Sequence, residues 1–483
     1  MKKWLIPLLV LIPAISTGTS LTIGIGRNFY DGPESATFLH GSTRSWEALV
    51  DLDDQLRPVP WLAISWISSD DKRTWIFKIR ENVKFHNGDT LRAQDVVQSI
   101  QRLNLHPKFD PFDRYKILEE IKAIDEHRVI FKLSRPCAFF PNLVAYYGSP
   151  IFHPSSWDEK GRIKNFIATG PYKPEFIIPD EQVTLVRNND YWGTRPSYER
   201  VTFRVLQDSH ARLIALISGR IDAVIDVGGI LPDQRSVLHN YPEIAVKSKE
   251  VATTHYLVFN TAKHPFNNRD IRKWLAGAID RQSLVDNIMQ NLAVIALDPY
   301  SRLNKSWSFS LLRFPSSPFP AGLSTEGTDT IVILLHSNTI SRWPYMEIAQ
   351  IIERLLKSRG IKAEILVQEK GLYYSRIKNG QFHIALQPFT MMTGDPDCFY
   401  SFFLKQTKLD HDVVRELTQT AKEAIKENYR AEAYRRLEEI LSEEVPLVPL
   451  FHDVALYAYR FSVGNLGMDA LFRPVFDSIE NRR

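Results

Sequence analysis

From Lys72 to Leu103 the chain changes period twice. Trp75, Phe77 and Ile79 alternate with Ile76, Lys78 and Arg80, the two-residue period of a half-buried strand. Asn87-Gly88-Asp89 is turn chemistry, because Asn and Gly tolerate positive φ. Ala93, Val96, Val97, Ile100 and Leu103 then recur at helical spacing and form one apolar stripe. The same two periods predict strands at 21–26, 129–133, 201–206, 220–225, 330–336, 361–367 and 382–386. They predict helices at 210–218, from Asp270 to Ala278, after Pro344, at 412–426 and at 430–441. Gly219 and Gly360 stand where helices close, and Asp280 stands where a side-chain oxygen caps the next one. Strand, helix and strand in succession make an α/β protein with largely parallel strands. Residues 293–327 are rich in Pro, Ser and Phe and carry no period, so they read as a long surface loop.

At 483 residues the chain has room for two or three domains. Its 44% apolar and 24% charged residues describe an ordinary globular protein. The first 20 residues run from Lys2 and Lys3 through an apolar stretch, Trp4 to Ile15, into small residues ending at Ser20. That is the layout of a secretory signal peptide, and the stretch is shorter than the ~20 residues that span a bilayer. No cysteine lies there, so a lipid-anchored form is not expected and the mature chain is expected to be soluble and periplasmic. The net charge is +4, or +2 once Lys2 and Lys3 are gone, too small to suggest nucleic acid as a partner.

Candidate chemistry is sparse. Cys137 and Cys398 are the two cysteines, which is no disulfide framework. The 13 His include no pair at metal-ligand spacing, so neither metal nor cofactor is expected. Gly24-x-Gly26 is followed by Phe29, where a dinucleotide fingerprint needs its third glycine. No Gly-x-Ser-x-Gly elbow, HExxH or phosphate loop occurs, so no catalytic residues are assigned and the chain is not read as an enzyme.

One long string carries more. Phe77, Ile79-Arg80, Val83, Phe85-His86, Gly88, Ala93 and Asp95-Val96 together resemble the signature of the family 5 extracytoplasmic solute-binding proteins, the receptors of peptide and nickel ABC importers. The resemblance extends to Trp46 through Val50, Pro60 through Trp66, Ala168 through Tyr172, Asn188 through Trp192, Tyr256 through Asn260, Ala278 through Arg281, and Glu443 through Pro449. It implies a two-lobed periplasmic-binding-protein fold with a third domain inserted in lobe one and a cleft closed by a hinge. Residues 21–50, 167–255 and 455–483 would form domain I, 51–166 the inserted domain II, and 256–454 lobe two. The implied function is capture of an oligopeptide, by a monomer, for an inner-membrane ABC permease. A nickel chelate or another small solute on the same scaffold, and a binding protein that has lost transport, remain alternatives.

The family's dipeptide receptors hold a peptide's ammonium with an Asp shortly before the Gly-Asp-Pro-Asp stretch, and its carboxylate with an Arg in a lobe-two loop. Here Met391-Met392-Thr393 precede Gly394, and the second loop offers Thr339 and a displaced Arg342. Methionine makes an adaptable wall suited to a longer or more apolar ligand. Asp395 is a candidate ammonium partner or, before Pro396, the organiser of a turn. Arg342 is a candidate clamp or a solvated cation at a helix start. Trp46, Tyr256 and Trp343 complete the candidate ligand residues as aromatics of the cleft or of the core.

Overall fold

The computed structural model describes residues 20–27, 43–105, 110, 114–145, 149–320, 330–407, 409 and 411–476. The proposed signal segment, apart from Ser20, lies outside them. Among the described residues no helix is long and apolar enough to cross a membrane.

An eleven-stranded sheet runs through the molecule. At one end Ile331–His336 lies parallel to Ala363–Gln368 and to Ile384–Thr390. At the other, Ser20–Ile25 lies parallel to Arg200–Val205 and to Ala223–Val224. Two long antiparallel strands, Ile244–Phe259 and Leu447–Arg460, join these ends, and their pairing shifts register between Glu250 and Thr254. The parallel strands have the buried burial pattern of a sheet covered by helices: Ile331, Ile333, Leu334 and Leu335 are all at or near 0% exposure.

A separate four-stranded antiparallel sheet holds Ala63–Ser68, Thr74–Ile79, Arg128–Leu133 and Leu118–Asp125 in that order. Its strand 74–79 buries Trp75, Phe77 and Ile79, and helix Ala93–Leu105 buries the stripe from Ala93 to Leu103, as the two periods predict. Asp280 accepts a hydrogen bond from the Ser283 N–H at 2.9 Å, the expected cap.

The motifs spread from Glu47 to Trp192 converge on one buried carboxylate. Glu47 accepts from Trp61 Nε1 at 2.8 Å, Tyr191 OH at 2.8 Å and Trp192 Nε1 at 2.9 Å. Burial raises the Glu47 pKa, and these donors pull it only part of the way back. His86 meets the Gly170 carbonyl at 3.0 Å, and Asn188 donates to the same oxygen at 3.1 Å. Gly170 lies so close to the Ser45 backbone that any Cβ there would overlap it.

Two expectations need correction. The strand foreseen at 220–225 shortens to Ala223–Val224. Residues 293–312 are no surface loop: Ala293–Ile295 pairs with the 447–460 strand, and Tyr300, Trp307 and Leu312 are 1%, 5% and 1% exposed. Individual polar bonds fix this segment in place of a period. Tyr300 OH donates to Glu438 at 2.8 Å, and Asp298 accepts from Ser308 Oγ at 2.7 Å and Ser310 N at 2.6 Å.

The long paired strands also carry a buried imidazole. His452 is 1% exposed and shares a 2.9 Å hydrogen bond with Thr254 Oγ1. Burial, with the positive charge of Arg302 and with His255, lowers its pKa from 6.5 to about 3. A folded-state pKa this low means that below pH 6.5 the unfolded chain takes up a proton the folded protein refuses. Stability should therefore fall as pH drops from 6.5, by roughly 3 kcal/mol at pH 4 from this residue. Urea unfolding of His452→Asn across that range should show a correspondingly flatter slope, and an unchanged slope would refute the assignment.

Candidate functional site

Ligands of open α/β sheets sit at the carboxyl ends of parallel strands. Here those ends, from both parallel halves, meet face to face. Arg27 follows strand 20–25, Asp226 follows 223–224, and residues 337–343 follow 331–336. Arg27 Nε donates to Asp226 Oδ1 at 2.8 Å, and Gly26 N donates to Oδ2 at 3.2 Å. Arg212, at 0% exposure, donates to the carbonyls of Leu206, Gln207 and Gly229 at 2.6, 2.8 and 2.8 Å. It also reaches across to Ser341 O at 3.3 Å. From the opposite side Arg342 donates through Nε and a terminal nitrogen to Val227 O, at 3.1 and 2.7 Å. Its guanidinium lies 4.4 Å from the Trp343 ring centroid. Burial lowers the Arg342 pKa to about 10. Gly228, at φ +61°, touches the Arg342 backbone so closely that a Cβ would stand 2.5 Å from its carbonyl oxygen. Trp343 Nε1 in turn donates to Asp453 Oδ2 at 3.0 Å, tying the loop to the 447–460 strand.

A second contact joins Leu56 and Asn142 to the Gly394 turn. Asn142 Nδ2 donates to Thr393 O, and Asn304 Nδ2 to Gly394 O, both at 2.8 Å. Gly394, at φ +69°, packs against Leu56 O with no room for a Cβ. Behind it Asp395 is 2% exposed and takes one Arg430 nitrogen on both oxygens, at 2.9 and 2.7 Å, and Tyr434 OH at 3.1 Å. Burial works against the Arg430 charge, but the Asp395 carboxylate outweighs it and holds the guanidinium above its ordinary range. The Asp397 N–H also bonds to Asp395 at 3.0 Å, so the turn foreseen around this residue exists. Its carboxylate is already engaged within the protein.

Both thiols lie near this turn. Cys398 Sγ donates to Asp395 O at 3.1 Å, and Cys137, buried, feels the charges of Arg430 and Asp395. Both cysteines are free, and burial pushes the Cys398 thiol up to about 12. Beside Glu47 a small recess, open to solvent and no larger than a water molecule, is lined by Arg44, Trp46, Asp51, Trp61 and Arg473.

Residues 57–410 match the family model described as bacterial extracellular solute-binding proteins, family 5. The chain belongs to this family. Among curated proteins similar to it is the probable ABC transporter periplasmic-binding protein SapA of Escherichia coli, 25% identical over 90% of this chain and 88% of that one. The Escherichia coli nickel-binding periplasmic protein is also 25% identical, over 87% and 86%. Among solved structures the Helicobacter pylori periplasmic binding protein DppA, in complex with the peptide STSA, superposes with a TM-score of 0.79 at 22% identity, covering 96% of this chain and 99% of that one. The chain therefore has the mixed α/β, two-lobed fold of the family 5 receptors, as the resemblance implied.

Within that family fold the candidate residues fall into four places. Arg342 and Trp343 stand together on the first contact. Met392, 8% exposed, and Asp395 stand together on the second. Trp46 lines the recess beside Glu47. Tyr256 is apart from all of them, 0% exposed, with its hydroxyl donating to Pro299 O at 2.6 Å and its ring 4.8 Å from Phe403. Sequence reasoning missed Arg27, Arg212, Asp226 and Arg430. For Asp226 a signal existed: the glycines 228 and 229 just after a strand mark a close backbone approach. Arg430 carries no local signal, since its partner is 35 residues away.

Proposed function

We propose that this chain is the solute-capturing component of an ABC importer: a monomer exported by residues 1–20, which encloses an oligopeptide between its lobes in the periplasm and presents it to an inner-membrane permease. The observation that carries this reading is the meeting of strand carboxyl ends from both halves of the sheet at Val227–Gly228 and Ser341–Trp343. Side chains and exposed backbone groups from both sides could there surround a ligand and bury most of its surface. The relative named as an ABC transporter periplasmic-binding protein and the neighbour holding STSA support the same reading.

Lobe one would comprise 21–50, 167–255 and 455–483 with 51–166 inserted, and lobe two 256–454, the chain crossing near 255 and 455. The register shift between Glu250 and Thr254 supplies the irregular pairing on which such a hinge could bend. Function is then a population shift: cargo favours the closed arrangement because only there do both lobes touch it. The test is native mass spectrometry of the mature protein purified from its own host without unfolding. A ladder of adducts at peptide masses, lost on denaturation, is expected. A protein that no peptide mixture fills would overturn the peptide reading and favour a different cargo or lost transport.

A further inference from the structure

The four-stranded sheet of residues 63–133 keeps the expected alternation on one side only. Trp75, Phe77, Ile121 and Phe131 are buried on the side that helix Ala93–Leu105 covers. The other side of an antiparallel sheet is ordinarily polar where it meets water. Here it carries a row of isoleucines. Ile67 pairs with Ile76, Ile76 with Ile130, and Ile130 with Lys122. Ile124 continues the row on the edge strand. Ile67 is 67% exposed and Ile124 44%. With strands ~4.8 Å apart, the row spans about 14 Å.

Cations border this row. Lys78 and Arg128 pair on one side of it, Lys132 stands opposite Thr74 on the other, and Lys122 lies within it. Lys78 has no ion-pair partner among the described residues. Glu120 is shared by Lys122 and Lys132, and Asp125 is taken by Arg128. Four cations against two acids leave the face at +2, and Asp70, Asp71, Lys72 and Arg73 in the adjoining turn cancel. An apolar line ringed by long basic side chains suits a layer of anionic head groups: the stems lie along the isoleucines and the charges reach past them. A second copy laid on the row would press the same cations against themselves. The flat face of a sheet offers a peptide no groove.

We propose that the outer face of this sheet docks on an anionic lipid surface: the isoleucine row enters the head-group layer while Lys78, Lys122, Arg128 and Lys132 meet the lipid phosphates around it. The site is separate from the contacts between strand ends described above and does not depend on cargo. It gives an exported chain that carries no cysteine for a lipid anchor a weak, reversible hold on a membrane.

The full mature chain is sedimented with sucrose-loaded vesicles, either an equal mixture of phosphatidylethanolamine and phosphatidylglycerol or phosphatidylcholine alone. Cosedimentation is expected with the anionic vesicles only, and should weaken about tenfold at about 0.5 M salt, where exposed charges are screened. Lys78→Gln should lower partitioning about fivefold, the share of one cation at an anionic surface. Ile67→Thr with Ile124→Thr keeps the branched side chains that strands favour and should lower it at least fivefold, with the urea midpoint near that of wild type. Cargo binding by native mass spectrometry should be unchanged in each variant, so this proposal and the receptor reading can each fail alone. Absence of cosedimentation with anionic vesicles, equal partitioning to phosphatidylcholine, or indifference to these substitutions overturns the proposal. A dimer in sedimentation velocity that Ile67→Thr dissolves would assign the face to a second copy and overturn it as well.

Discussion

Gly394→Ala should yield a protein that folds and cannot close. Gly394 sits at φ +69° with its Cα against the carbonyl oxygen of Leu56, and a methyl group there would overlap backbone atoms that have no rotamer to yield. The left-handed conformation itself costs alanine about 1 kcal/mol, which a two-lobed protein of this size tolerates. Gly88→Ala measures the positive-φ part alone, because Gly88 has φ +91° and nothing within 4 Å of its Cβ position. The overlap with Leu56 adds a penalty paid only where the two sides meet. If the closed fraction falls a hundredfold, apparent affinity falls by about the same factor. Calorimetry with the cargo identified by mass spectrometry, and small-angle scattering with and without it, should show Gly394→Ala weak and extended at all cargo concentrations. Gly88→Ala should bind and close as wild type. Compaction of Gly394→Ala by cargo to the wild-type dimension would refute the role assigned to this contact.

The largest loss of stability is expected from Arg430→Met. Removing the guanidinium leaves Asp395 charged, 2% exposed and with only Tyr434 OH and the Asp397 N–H as donors. Unpairing a buried ion of this kind costs about 3–5 kcal/mol. Asp395→Asn with Arg430→Met removes both charges and should recover a large part of the loss, since a neutral amide still bonds to Tyr434. Urea unfolding of the two single variants and the double variant measures the coupling directly. Were Asp395 held in reserve for a cargo's ammonium, Arg430→Met would change affinity and leave the unfolding midpoint in place.

These residues also show what the sequence made legible. Asp395 before Pro396 announced a turn, and the turn is there. That its carboxylate would be taken by Arg430 was hidden, because a pair 35 residues apart on a different element leaves no period or local motif. The signature from Phe77 to Val96 was readable since strand, turn and helix each follow a local rule, and its burial pattern agrees residue by residue. The 293–312 segment was unreadable for the opposite reason: Tyr300 and Asn304 hold it by single long-range bonds, and Asp298 ties it to itself through Ser308 and Ser310. Arg212 lay in plain view on a helix of Leu and Ile, but an arginine at 0% exposure can be known only from the carbonyls that surround it.

The two long strands that pair across the middle of the large sheet have a consequence for how the protein comes apart. Because Ile244–Phe259 and Leu447–Arg460 lend backbone hydrogen bonds to strands on both sides, neither half possesses a complete set of sheet edges of its own. Melting one half would expose an unpaired ladder in the other. The parallel strand groups are therefore thermodynamically interdependent: heat should take them down together, in one cooperative step.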